Sequence, residues 1–265
     1  MQDHDAPQNG RTKPVTSETI EALLGRVSVR DYEDRPVGDA TVDAVLAAAF
    51  RAPTSSNIQA YSVVIVRDPA VRAKLVPITG NQRWVGDAPV FLAFCADLTR
   101  IEEAARRNGH DLNNNNFEAG LVASVDAALV GMAAYIAAES IGLRGVMIGA
   151  VRNDIIATAE ALALPPRVYC LFGMCLGWAE TRPEQKPRME YEAMVHYDRY
   201  GNQPALEGGP SAALDRYDRT LAAHYEAIGK PTAPDSWTHD IDKKFHARLR
   251  DQLRAQLKQR GFDFA

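Results

Sequence analysis

The chain has 265 residues, of which 46% are hydrophobic and 24% are charged, so it is long enough for one large domain or two small ones with a substantial core. This composition excludes a protein that is disordered throughout. The formal net charge of -4 argues against a nucleic-acid-binding protein with a generally basic surface, so any bound anion must be held by a local group of cations.

The first sixteen residues, MQDHDAPQNGRTKPVT, lack the apolar run of a secretion signal. We expect residues 1–16 to form a disordered leader, and we expect the protein to be cytoplasmic. Cysteines occur at positions 95, 170 and 175, each inside an apolar run and without a CxxC pair. This pattern predicts buried free thiols rather than disulfides or a metal site.

Helices and strands are predicted to follow one another through the first half of the chain. TSETIEALLG has the capping hydroxyls, apolar spacing and final glycine of a short helix. In the next five residues, RVSVR, an extended backbone would project Arg26, Ser28 and Arg30 from one side and both valines from the other. Further helices are predicted in DRPVGDATVDAVLAAAFRAP and DPAVRAKLVPI, and strands in YSVVIVRDP and APVFLAFCAD.

The polar segment RNGHDLNNNNF predicts a surface loop, and a long apolar helix is predicted after it, over residues 117–140. Its uncharged run lies between Asp126 and Glu139 and is shorter than the roughly 18 residues needed to cross a membrane. We therefore expect a central helix in a core or at a subunit interface, and no membrane span.

The second half begins with two more predicted strands, GVMIGAV and VYCLFGMCLGW, separated by a helix in RNDIIATAEALAL. From about residue 209 the pattern predicts two helices, SAALDRYDRTLAAHYEAI and SWTHDIDKKFHARLRDQLRAQLKQR. Apolar residues recur every four positions in the second helix, which must therefore pack on its own domain or on a dimer partner. Helices interleaved with about four strands favour a three-layer α/β or α+β sandwich.

Several chemistries are excluded because their motifs do not occur. The sequence has no GxxxxGK[ST] phosphate loop, GxSxG elbow, HExxH or CxxC ligand pair, and we expect no bound metal. Three segments rich in hydrogen-bonding or cationic groups remain: RAPTSSNIQ, TGNQRW and QKPR. Each of these segments alone is as typical of a solvated loop as of a binding site.

Taken together and in order, these segments resemble the FMN-dependent nitroreductase family, in particular its oxygen-insensitive NADPH nitroreductase and NADPH-flavin oxidoreductase branch. The resemblance extends from about residue 17 to 260. It rests on the motifs RVSVRDYEDRPV, RAPTSSNIQAYSVVIV, TGNQRWVGDAPVFLAFCADL, AAESIGLRGVMIGAVRND, LFGMCLGW and KPR.

The resemblance implies an α+β three-layer sandwich with a mostly antiparallel central sheet. It also implies an FMN-binding core over residues 17–208 and a C-terminal helical excursion over 209–265. A homodimer would bind one FMN in each interface pocket. The implied FMN contacts are Arg26, Ser28, Arg30, Thr54, Ser55, Ser56, Gln82, Ile148, Gly149, Ala150, Lys186 and Arg188.

By the same resemblance, Asn57, Arg152 and Arg250 would border the acceptor pocket. The implied reaction is a ping-pong hydride transfer through FMN from NADPH or NADH to a nitroaromatic or quinone, with no side chain acting as acid, base or nucleophile. Two alternatives are a reductase of free flavin, ferric iron or chromate on the same scaffold, and a flavin-binding protein without turnover.

Two positions depart from the family pattern. The family commonly has arginine where this chain has Val27, so one phosphate or ring contact is missing or is replaced by Arg26. In the NADPH-specific branch, arginines in the loop between the last two helices hold the 2'-phosphate, whereas the loop GKPTAPDSW contains Lys230 as its only cation. NADH is therefore also a candidate donor.

Overall fold

The computed structural model describes residues 15–113, 115–203, 206–233 and 236–264. All but the last two residues of the predicted leader lie outside these ranges. The first half contains α1 (Glu18–Leu24), α2 (Asp39–Ala49), β1 (Tyr61–Val66), α3 (Pro69–Ile78), α4 (Arg83–Asp87), β2 (Val90–Asp97) and α5 (Thr99–Arg107). The second half contains α6 (Phe117–Ser140), β3 (Arg144–Ile148), α7 (Ile155–Ala161), β4 (Val168–Gly177), α8 (Tyr191–Met194), α9 (Gly209–Ala227), α10 (Ser236–His246) and α11 (Leu253–Gln259).

The four strands form one sheet in the order β1-β2-β4-β3, and every neighbouring pair is antiparallel. Strand β2 is buried along its whole length, as its continuous apolar sequence predicts. Its side chains alternate between the two faces: Leu92 and Phe94 join one core, and Phe91 and Ala93 join the other.

Helices cover both faces of the sheet, which gives the three layers of the expected α+β sandwich. Helices α2 and α6 pack on one face, and the other face is covered by α3, α4 and α7. The three cysteines are buried and free, as predicted.

Helix α6 is apolar on both sides, as expected for a central helix. Its buried side is rich in small residues, and a Cβ atom on Gly131 would lie 2.3 Å from the ring of Phe172, so glycine permits the close approach of helix and sheet. By length and composition α6 could cross a membrane, although 44% of its apolar 18-residue stretch is buried inside the protein. A single helix of this kind is weak evidence for a span, because core helices have the same properties.

The RVSVR segment is extended and alternates as predicted. Val27 and Val29 are buried, and the Val29 N–H donates to the carbonyl of Gly145 at 3.0 Å. Because the two valines point into the core, the side chains of Arg26, Ser28 and Arg30 project from the opposite side of the segment.

The prediction of one continuous helix over SWTHDIDKKFHARLRDQLRAQLKQR is wrong. Helix α10 ends at His246, α11 begins at Leu253, and Arg250 between them has a φ of 58°. Two side chains within this break bind Asn153, in the segment after β3: Arg250 Nε donates to Asn153 Oδ1 at 3.1 Å, and Gln252 Nε2 donates to the Asn153 carbonyl at 2.9 Å. These tertiary contacts outweigh the helical propensity of the sequence.

The predicted apolar stripe of this segment is consequently divided. Leu257 packs with Phe262 in a third core cluster, whereas Phe245 and Leu249 are 67% and 50% exposed. Three helices, α4, α5 and α8, were not predicted from the sequence. The predicted loop RNGHDLNNNNF covers residues 107–117; its first residue ends α5 and its last residue begins α6, and its other described residues are non-helical.

Candidate functional site

One cavity brings together five of the predicted FMN contacts. Arg26, Ser28, Arg30, Lys186 and Arg188 all line a space of about 660 Å³ between the extended RVSVR segment and the QKPR segment. The two segments are more than 150 residues apart in sequence and are joined here by hydrogen bonding, since Gln185 Nε2 donates to the carbonyl of Arg26 at 3.1 Å.

The cavity carries an excess of positive charge. Within the described residues, none of its cations forms an ion pair; they are Arg26, Arg30, Lys186, Arg188 and Lys230. Glu184 is the single acidic residue in its lining. Unpaired arginines and lysines around a common space are the arrangement expected for binding an anion such as a phosphate.

Aromatic rings support two of these arginines. The Arg26 guanidinium lies 5.2 Å from the centre of the Tyr135 ring, and that of Arg30 lies 5.3 Å from the centre of the Trp84 ring. Cation–π contacts of this length hold a guanidinium in place without neutralising its charge. Burial raises the pKa of Tyr135, so its hydroxyl stays protonated and donates to the Val27 carbonyl at 2.9 Å.

Another wall of the cavity comes from α9, which the sequence did not assign to the site, and from the turn after α9 that carries Lys230. This wall consists of His224, Tyr225, Ile228 and Lys230. Lys186 Nζ donates to Tyr225 Oη at 3.0 Å, which ties the QKPR segment to α9. The apolar spacing of α9 resembles that of any core helix, so no sequence signal marked His224, Tyr225 or Ile228, and Lys230 was noted only as the single cation of its loop.

The predicted ring contacts Thr54, Ser55 and Ser56 do not line this cavity. They lie in a tight turn that contains the 3-10 helix Ser55–Asn57. Buried Asp126 of α6 holds the turn: its Oδ1 accepts from the Ser55 N–H at 2.9 Å, and its Oδ2 accepts from the Ala60 N–H at 3.1 Å. An acidic residue inside an apolar helix was the available sequence signal for such an anchor.

Asn57, predicted to border the acceptor, belongs to the same turn and has a left-handed backbone with a φ of 57°. Its carbonyl accepts a hydrogen bond from Gln59 Nε2 at 3.3 Å. Gln82 precedes α4 and donates from Nε2 to the Thr79 carbonyl at 3.0 Å, two residues before the Trp84 ring that supports Arg30. Gln82 thus lies near the RVSVR segment without lining the cavity.

The remaining predicted residues form a cluster at the end of β3. Ile148 ends the strand and is buried, and a Cβ atom on Gly149 would lie 3.3 Å from the Arg152 guanidinium. Burial lowers the pKa of Arg152, and the nearby charge of Arg250 lowers it further. The structure therefore brings Arg152 close to Arg250 and keeps Ile148, Gly149 and Ala150 outside the cationic cavity.

Comparison with known proteins matches most of the chain to one family. Residues 23–178 match the model of the nitroreductase family, and residues 186–265 match the model of its C-terminal domain. The chain is 39% identical to an oxygen-insensitive NADPH nitroreductase of Salmonella typhimurium, over 93% of this chain and 98% of that protein.

Two proteins of Bacillus subtilis are also similar. An FMN reductase [NAD(P)H] is 33% identical, over 93% of this chain and 98% of that protein. The solved structure of the nitroreductase NfrA1 superposes with a TM-score of 0.87 at 31% identity, over 93% of this chain and 99% of that chain.

Proposed function

The chain belongs to the nitroreductase family, and we propose that it is an FMN-dependent NAD(P)H oxidoreductase that reduces nitroaromatics or quinones by two electrons. The observation that carries the proposal is the cationic cavity, in which two arginines, a serine hydroxyl, a lysine and a third arginine converge. Relatives named as an NADPH nitroreductase and an FMN reductase support both the donor and the flavin.

The residues present fit FMN. Its terminal phosphate carries nearly two negative charges, which four unpaired cations and the Ser28 hydroxyl can satisfy with charge-assisted hydrogen bonds. A volume of about 660 Å³ is within the range of roughly 300–1,000 Å³ typical of small-molecule sites. Val27 is buried, which leaves Arg26 and Arg30 as the cations that the RVSVR segment presents.

When bound, FMN supplies the two-electron transfer, accepting a hydride from the nicotinamide and delivering electrons to the acceptor. The chain would bind and orient first the nicotinamide and then the acceptor against the flavin. Arg26, Ser28, Arg30, Lys186 and Arg188 would hold the phosphate. The backbone N–H groups of residues 148–150 would lie at the reactive edge of the ring, with Arg152 and Arg250 beside the acceptor.

We propose a homodimer because one chain holds the predicted contacts in separate places. The turn at Thr54–Asn57 does not line the cavity that contains Arg26. Helix α6, which anchors this turn through Asp126, exposes an apolar stripe at spacing i, i+4, i+8 formed by Leu121, Val125 and Leu129. Pairing two chains along this stripe would bury it and supply the turn of one subunit to the cavity of the other.

A second candidate is a reductase of free flavin, ferric iron or chromate, because an FMN reductase is among the similar proteins over nearly the full length. Both candidates use the same cavity and donor, and they differ only in the acceptor. For either reaction we propose a cytoplasmic location, where reduced nicotinamide is available. We further propose that residues 17–208 form the cofactor-binding core and residues 209–265 the helical excursion.

Anaerobic spectroscopy of the purified yellow protein tests the proposal. We expect NADPH or NADH to bleach the flavin absorbance under nitrogen, and a nitroaromatic or quinone to restore it. Recovery with free FMN but not with these acceptors would favour the second candidate. A flavin that neither nicotinamide bleaches would refute the enzymatic function and leave only flavin binding.

A further inference from the structure

The RVSVR segment lies beside the edge of the sheet with little backbone pairing. Strand β3 is an edge strand in the order β1-β2-β4-β3. In the part of the chain that the structure describes, one backbone hydrogen bond joins the segment to β3, from the Val29 N–H to the Gly145 carbonyl at 3.0 Å. The carbonyls of Val27 and Val29 therefore need other donors, because a buried carbonyl without a hydrogen bond is destabilising.

Two tyrosine hydroxyls are these donors. Tyr135 Oη lies 2.9 Å from the Val27 carbonyl and 3.1 Å from the Gly145 carbonyl, so its one proton is shared between the segment and β3. Tyr32 Oη donates to the Val29 carbonyl at 2.9 Å. Burial raises the pKa of both tyrosines, which keeps both hydroxyls protonated and able to donate.

The two hydroxyls reach the segment from opposite layers of the sandwich. Tyr135 belongs to α6 and lies in the core cluster on the α2 and α6 face of the sheet. Tyr32 packs on the cluster of the other face, and its backbone pairs with Ala179 just after β4. Each layer therefore holds one carbonyl of the same extended segment.

These bonds bear on the cavity because the segment alternates. Val27 and Val29 separate Arg26, Ser28 and Arg30, so fixing the valine peptide groups also fixes where the two arginine side chains begin. Tyr135 in addition carries the Arg26 guanidinium, 5.2 Å from its ring centre. Without the hydroxyl bonds the arginines would become ordered only when a ligand binds, and that ordering lowers affinity.

We propose that Tyr32 and Tyr135 are positioning residues whose hydroxyls hold the RVSVR segment against β3, so that Arg26 and Arg30 are aimed into the cavity before the cofactor binds. The inference rests on the proposed function, which supplies FMN as that cofactor. Neither tyrosine lines the cavity, so both act through the backbone of the segment. The sequence did not assign either tyrosine to the site.

Removing single hydroxyl groups tests the proposal with little change in packing. Tyr135→Phe and Tyr32→Phe keep both rings, and Tyr135→Phe also keeps the ring beneath Arg26. A double variant removes both hydroxyls. The control is Tyr169→Phe, because Tyr169 is also buried, its hydroxyl lies 2.6 Å from that of Ser124, and it does not line the cavity.

Fluorescence titration of the flavin-free chain with FMN and with riboflavin separates positioning from folding. Each single variant should weaken FMN binding about three- to tenfold, the loss expected for one neutral hydrogen bond. Riboflavin lacks the phosphate that the two arginines would hold, so its binding should change by less than about twofold. Tyr169→Phe should keep the wild-type ratio of the two dissociation constants, even if it lowers Tm.

Hydrogen exchange gives a second measurement that does not depend on flavin. The Val29 N–H bonds to the Gly145 carbonyl, so it should exchange faster in flavin-free Tyr32→Phe and Tyr135→Phe, whereas exchange in β2 should stay as in the wild type. At saturating FMN both variants should be bleached by NADPH or NADH at the wild-type rate, because the hydroxyls take no part in the transfer itself.

The inference is overturned if the single variants leave FMN binding unchanged or weaken riboflavin as much as FMN. It is also overturned if Val29 exchanges no faster in them than in Tyr169→Phe. A wild-type chain that binds no FMN would instead refute the proposed function, and the exchange measurement would still test whether the two hydroxyls hold the segment.

Discussion

Buried Asp126 provides the sharpest test of how the α6 helix supports the site. Its carboxylate is completely buried and accepts two backbone hydrogen bonds, from Ser55 at 2.9 Å and from Ala60 at 3.1 Å. Asp126→Asn keeps the shape of the side chain, but one oxygen becomes an NH₂ group that faces a backbone N–H. We therefore expect the variant to lose one charge-assisted bond and to leave a buried donor unsatisfied.

The charge-assisted bond is worth about 1.5–3 kcal/mol and the unsatisfied donor costs about 1–3 kcal/mol, so the variant should be destabilised by about 3 kcal/mol. For a chain of this size, 1 kcal/mol lowers Tm by about 2–4 °C, which predicts a decrease of about 6–12 °C. Because the turn that Asp126 holds is proposed to line the flavin ring, FMN and riboflavin should both bind more weakly.

The assay is thermal unfolding followed by circular dichroism, at one protein concentration because dimerisation shifts Tm. Asp43→Asn is the matched control, since Asp43 lies on the exposed face of α2 and forms no hydrogen bond or ion pair within the described residues. If Asp126→Asn melts within about 2 °C of the wild type, the two hydrogen bonds do not carry the stability assigned to them.

Four further outcomes are expected. Arg30→Ala should lose FMN on dialysis because it removes a phosphate ligand, and a mutant that keeps its full yellow colour would contradict the assignment. Gly145→Ala should unfold at least several degrees lower than wild type, since its Cβ would lie 2.2 Å from the backbone oxygen of Cys175, which cannot rotate away. Val125→Lys should shift the protein toward a monomer in light scattering, because it places a charge in the exposed α6 stripe; an unchanged dimer would argue against this interface. Burial raises the pKa of the Asp218 carboxyl, but hydrogen bonds from Thr238 and Trp237 outweigh it and leave the pKa below 3.8. The stability that Asp218 contributes is therefore present above pH 3.8 and lost as pH falls through the lower folded value, so Asp218→Asn should abolish that part of the acid dependence of Tm.

The strands of the sheet and the direction of the RVSVR side chains were predictable because they depend on local patterns. A continuous apolar run such as 90–97 is typical of a strand that is buried on both faces, and each of the four strands was predicted from a run of apolar or β-branched residues. Alternation in an extended segment puts Arg26, Ser28 and Arg30 on one side once the two valines are buried. The six motifs in order also identified the family, which the family models confirm.

Tertiary structure decided what depends on contacts between distant segments. Residues 247–252 have helical composition, but hydrogen bonds to Asn153 break the helix there, and no local pattern contains that information. The Tyr225 side chain looks like an ordinary core residue of α9 until folding brings Lys186 to its hydroxyl and Lys230 to its ring. Sequence by itself therefore determined which elements form and which cations are available, because these follow from local propensity and side-chain type. Only the packed chain decided which of those cations share a cavity and which residues hold them there, since both depend on the mutual position of elements far apart in sequence.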